Sequence, residues 1–306
     1  MTGVQTCALP ICALRELAER TGLGVLTTFA VPALLGPAGD PSGGPGGSGR
    51  PAAVGIQEHD LRLAGVGPDS VVLAVGLDAG ECPPAVLRAA GLDPARNIRA
   101  VSAAELVRLA EAGMVRPRPA RLAGAGSGAD RAGGASAPLA DALADILGPL
   151  YEQDGSPLNP ARAAADVAAV LPDHGVVLAE PGPAALWVAR AMPAPAAGTV
   201  RVAPAGDQGV AIAGALLAGL RGELGVAVVD TPPAGTATTL LALASSLDVG
   251  LVVTVWGRRG GLRSAADHRE RLATALRAPG VSVIEVPVDQ GHTKLLTDLA
   301  GDVVAW

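Results

Sequence analysis

Short Val/Leu-rich runs that stop at a small or acidic residue and hand over to a helical spacing recur through the second half of the chain. "GVVLAE" stops at Glu180 and is followed by the glycine turn and helix of "PGPAALWVARAM". "LGVAVVD" stops at Asp230 before "GTATTLLALASSL". "VGLVVTVWG" runs to Gly257 ahead of "AADHRERLATALRA", and "VSVIEVPVD" closes the series. Runs this short and this apolar read as strands buried on both faces, and their alternation with helices reads as a parallel sheet built from βα units. Further helices are expected from about Pro160 to Leu171 and in "GVAIAGALLAGLRG". Open parallel sheets hold ligands beyond the carboxyl ends of their strands. Glu180, Asp230 and the Trp256-Gly257 pair are therefore the candidate site positions.

The first half repeats the pattern in shorter form. "LGVLTTFA", "SVVLAVGLD" and "IRAVS" read as strands, and "ALRELAERTG", "PPAVLRAAGL" and "AAELVRLAEAG" as helices, with Gly22 as the stop of the first. "GPAGDPSGGPGGSGRP" is a flexible loop by composition, and the Arg/Pro- then Gly/Ala-rich stretch 114–137 reads as an interdomain linker. The expected fold class is α/β, with two doubly wound, Rossmann-like parallel-sheet domains at 13–113 and 138–306. A length of 306 residues accommodates both, and a hydrophobic fraction of 49% can fill their cores. With one Phe and one Tyr in the chain, those cores must be made of Ala, Val and Leu.

The opening "MTGVQTCALPIC" belongs to neither pattern. Read from a GTG start, Thr2 to Ile11 resemble the translation of a common sequencing-adapter oligonucleotide. Residues 1–12 are accordingly expected to be a scar that packs on nothing, with the natural protein extending upstream of Ala13. Setting aside Cys7 and Cys12 leaves Cys82, so neither a disulfide framework nor a thiolate metal cluster is expected. A net charge of −6 argues against a nucleic-acid partner. No apolar run reaches the roughly 18 residues of a membrane helix. The expectation is a soluble, cytoplasmic protein.

Several weaker signals read as structure. "GAGSGADRAGG" and "GPGGSGR" follow no strand and lack the Lys-Ser/Thr pair of a phosphate loop. His59, His174, His268 and His292 have no ligand spacing and are expected at the surface or in loops. Cys82 has no histidine nearby in sequence. "GRRGGLRSAADHRERLATALR" is read as a solvated basic helix face.

The strand ends and their neighbours carry a resemblance. "GIQEHDLRLAGVGPDSVVLAVGLDAGECP" resembles the central domain of thiamine-diphosphate enzymes of the acetolactate synthase and benzoylformate decarboxylase group. "GVVLAEPGPAALWVARAM", "GDQGVAIAGALLAG" and "VIEVPVD" resemble, in order, segments of that group's cofactor domain. The resemblance runs from Ala13 to the C-terminus. It implies thiamine diphosphate and Mg²⁺ as cofactors, 2-oxo acids as substrates for decarboxylation or carboligation, and a homodimer or homotetramer. It also implies cofactor contacts at Glu180, Gly182, Gln208, Gly209, Thr231 and Gly257, with Asp230 on the metal.

The same comparison exposes departures. The family's metal aspartate lies in a GDG, whereas Asp230 is flanked by Val229 and Thr231. Trp256 and Gly257 stand where asparagines should supply the second ligand, and Gln208 stands where a bulky apolar residue should bend the cofactor. Pro232 and Pro233 offer no N–H to a phosphate, although Arg258 or Arg259 could supply charge to one. The family's activating glutamate belongs to an N-terminal domain outside this sequence. Two further readings stand beside the enzyme: a non-catalytic relative keeping the fold for dimerisation or regulation, and a nucleotide module holding FAD in the central domain. The last lacks a Gly-rich fingerprint.

Overall fold

The computed structural model describes residues 25–30, 53–77, 81–111, 137–193, 198–203, 206 and 208–304. The adapter-like stretch, the first expected helix, the glycine-rich loop and nearly all of the expected linker lie outside these residues.

The second half forms one parallel sheet with the order β6-β5-β7-β8-β9. Its strands are β5 (Gly175–Ala179), β6 (Val200–Val202), β7 (Leu224–Val229), β8 (Leu251–Gly257) and β9 (Val281–Pro287). Connecting helices are α7 (Pro183–Ala191), α8 (Val210–Leu220), α9 (Thr236–Ser246) and α10 (Ala265–Arg277). Ahead of the sheet come α5 (Ala137–Tyr151) and α6 (Pro160–Val170), and α11 (Thr293–Ala300) closes the chain. The expected strands and helices of this half all appear. The three-residue β6, and α5 and α11, were not foreseen.

Alternation along the central strands divides the core into two layers. Val226, Val228, Val252 and Trp256 pack with α5, α6, α7 and α10, while Ala227, Val229, Leu251, Val253 and Val255 pack with α8 and α9. Burial on both faces is why these strands read as unbroken apolar runs. Helix α8 lies close on the sheet because its neighbours are small: a Cβ on Gly225 would stand 2.4 Å from the Ala215 carbonyl oxygen.

In the first half, β1 (Thr27–Thr28) pairs in parallel with β2 (Ala53–Val54), and β3 (Val72–Ala74) with β4 (Ile98–Ala100). Short helices α1 (Asp60–Leu63), α2 (Pro84–Ala89), α3 (Pro94–Asn97) and α4 (Ala103–Glu111) accompany them. The parallel α/β class holds here, as two separate strand pairs among the described residues. Among the described residues no helix is long and apolar enough to cross a membrane.

One expectation is overturned. His268 is fully buried within α10, where its Nδ1 lies 3.1 Å from Asp166 Oδ2 on α6. A helix whose sequence is mostly polar still turns one stripe inward, and His268 shares that stripe with Leu272.

Candidate functional site

The sheet order creates the site. The chain leaves β5 towards β6 on one side and returns to β7 on the other, so α7 and α8 depart to opposite faces and leave a crevice at the carboxyl ends of β5 and β7. That switch point is where open α/β sheets receive ligands. A cleft of about 470 Å³ opens there, lined by Glu180, Gly182, Gln208, Asp230 and Thr231 together with Pro181, Pro183 and Gly206.

Each side chain is held by a bond that crosses the crevice. Glu180, just beyond β5, accepts from the Gly209 N–H at 2.5 Å, at the N-terminus of α8. Burial pushes its carboxyl above the usual range, against the pull of the Gly209 and Ala211 amides. Asp230, just beyond β7, accepts through Oδ1 from the Ala184 N–H at 3.0 Å in the first turn of α7. Its carboxyl is pushed up to about 6, chiefly by burial; the Ala184 amide opposes this and the charge of Glu180 adds to it. The Gln208 carboxamide donates to Thr231 Oγ1 at 3.0 Å and to the Pro232 carbonyl at 3.2 Å.

The other expected residues sit around this cluster. Gly182 and Gly209 are the N-caps of α7 and α8. Gly257 lies beside the Asp230 backbone, since a Cβ built on it would be 3.9 Å from the Asp230 carbonyl oxygen. Trp256 points away into the core, 1% exposed, and donates to Thr254 Oγ1 at 3.1 Å. Arg258 and Arg259 are exposed. Sequence reasoning missed the Ala184 amide and Gly206. The first was recoverable in principle, because Gly182-Pro183 opens α7 without a side-chain cap of its own.

No protein-family profile matches the chain, and no curated protein matches it by sequence. Solved structures do match. A protein from Mycobacterium smegmatis, provisionally named a thiamin diphosphate-dependent enzyme, is similar with a TM-score of 0.60 at 17% identity, over 92% of this chain and 59% of its own. Benzoylformate decarboxylase from Polynucleobacter necessarius is similar with a TM-score of 0.60 at 13% identity, over 91% of this chain and 59% of its own. This chain has the fold of thiamine-diphosphate-dependent enzymes. At these identities the likeness is one of fold, and the chain spans 59% of the length of either structure.

Within the thiamine-diphosphate-enzyme fold, the residues present do not fit a magnesium ion. Mg²⁺ demands near-octahedral oxygen coordination. Here one Asp230 oxygen is engaged by Ala184 N–H and the other packs on Gly182. Glu180 is engaged by Gly209, Gly257 has no side chain, and Trp256 is turned inward. Glu180 and Asp230 are the two carboxylates lining the cleft, and each is already held by a helix amide.

Proposed function

We propose that the chain comprises the central domain (13–113), linker (114–137) and cofactor domain (138–306) of a thiamine-diphosphate-dependent, acetolactate synthase-like protein of 2-oxo-acid decarboxylation or carboligation, with a degenerate metal–diphosphate site. The observation carrying this reading is the crevice between β5 and β7, at the switch point of the sheet, where the N-termini of α7 and α8 meet Glu180, Gln208 and Asp230. Thiamine diphosphate, where bound, supplies the carbanion-stabilising chemistry. What this chain offers a diphosphate is two helix N-termini whose leading amides already serve Glu180 and Asp230, and a turn in which Pro232 and Pro233 have no N–H. The reading extends to a cytoplasmic homodimer or homotetramer, supported by Leu217 and Leu220 exposed on α8, Leu243 on α9 and Leu247 just after it.

The test is calorimetric titration with thiamine diphosphate and Mg²⁺, alongside turnover of pyruvate and benzoylformate. Weak saturable binding of thiamine diphosphate, unchanged by Mg²⁺, with little or no turnover is the expected result. Tight binding with brisk carboligation would refute the degenerate site. The engagement of both leading amides by internal carboxylates favours a second reading, a non-catalytic relative that keeps the fold for dimerisation or regulation. Absence of any binding by a folded protein selects it.

A further inference from the structure

We infer that Asp230, at the position the fold gives to a metal ligand, serves instead as the cap of helix α7, and that the cleft takes up no divalent cation. The inference rests on reading this cleft as the metal–diphosphate position of the fold. The first turn of α7 has no other cap. Its N-cap is Gly182, which has no side chain to offer, and its first residue is Pro183, which has no N–H. Ala184 therefore presents the leading amide of the helix, and a carboxylate from the far side of the crevice satisfies it at 3.0 Å.

The backbone is shaped to admit that carboxylate. Gly182 has φ +149°, and a Cβ placed on it would stand 2.1 Å from Asp230 Oδ2. The space a side chain would occupy is the seat of the second carboxylate oxygen. Gln208 holds the turn that carries Asp230 through its bonds to Thr231 and Pro232, keeping the carboxylate facing α7. On the side where a second metal ligand would be needed, Gly257 offers only backbone and Trp256 lies in the core.

The test compares Asp230→Asn with Asp230→Ala in the full chain, and follows free Mn²⁺ by its EPR signal with and without inorganic diphosphate. Asparagine retains an acceptor for Ala184 N–H, and alanine does not. A cap predicts that Asp230→Asn melts higher than Asp230→Ala by about 2–4 °C. It also predicts that, in either condition, the wild type depletes the Mn²⁺ signal no further than a protein-free solution of the same composition does. A metal ligand predicts saturable Mn²⁺ depletion by the wild type that is lost in Asp230→Asn, and that result would overturn the inference. Equal melting of the two variants would overturn it as well. Should thiamine diphosphate bind while Mn²⁺ does not, the cap stands and the cofactor reading survives in metal-free form. Should neither bind while the melting difference holds, the cofactor reading alone falls.

Discussion

At position 182 the absence of a side chain is a requirement of packing as well as of backbone conformation. Gly182→Ala would force Asp230 Oδ2 out of its seat and place a non-glycine residue at φ +149°. The expected cost is about 1–3 kcal/mol, read as a lower denaturant midpoint at unchanged slope. An unaltered midpoint would mean that the carboxylate swings free of the helix at no cost. The same residue-scale reasoning explains why the sequence could name Gly182 and Asp230 separately but not as a pair. A glycine after a strand is legible as a turn, whereas the atom filling its vacant Cβ position comes from another strand.

Helices α6 and α10 are joined by a buried carboxylate that no sequence pattern announced. Asp166 is 1% exposed and accepts from Arg162 at 2.9 Å, from Arg269 at 2.8 Å and from the His268 ring at 3.1 Å. Burial alone would raise its carboxyl, but these donors prevail and hold it below the ordinary value of 3.8. A depressed carboxylate contributes stability that is fully present above the unfolded value and is lost as pH falls through the folded one. Asp166→Ala should therefore cost about 1–3 kcal/mol near neutral pH, chiefly the penalty of leaving the buried His268 ring and the largely buried Arg162 without their partner. The gap to wild type should narrow under acid conditions below 3.8, as measured by urea unfolding at both pH values. A pH-independent gap would assign the loss to packing instead. Charged residues in "AADHRERLATALR" read as a solvated face, and Glu270, Arg271 and Arg277 are exposed on it. His268 departs from it because packing against α6 turns the stripe of Ala265, His268 and Leu272 inward.

Across the whole molecule, the first half is anchored to the second by Arg190 on α7. Its guanidinium pairs with Asp60, reaches the Ala53 carbonyl, donates to Gln57 Oε1 at 3.0 Å and lies 4.8 Å over the Phe29 ring. Both ion-pair side chains are fully buried, and Asp60 also accepts from the amides of Gly55, Ile56 and Gln57. Gln57 adds bonds to the carbonyls of Leu296 and Gly301 at the C-terminal end. Removing one partner of such a pair leaves a buried charge, at a cost of about 3–5 kcal/mol. In Arg190→Met, hydrogen exchange should quicken across 53–64 while β7 and β8 keep their protection. Equal loss in both regions would show that the halves unfold as one unit.

By itself, the sequence determined the kind and order of elements in the second half and the residues at which its strands end. Strands buried on both faces must be uniformly apolar, and the chain must leave them through turn-forming or acidic residues. It did not reveal β6, whose three residues are too few for a period, or that Trp256 faces the core. The order β6-β5-β7-β8-β9 was settled by tertiary structure, and with it the meeting of Glu180, Gln208 and Asp230 in one cleft. The engagement of those groups with one another was settled there too. Local periodicity records how much of a segment is buried, but which strand lies beside which, and which amide a carboxylate finally meets, are decided by contacts between residues far apart in the chain.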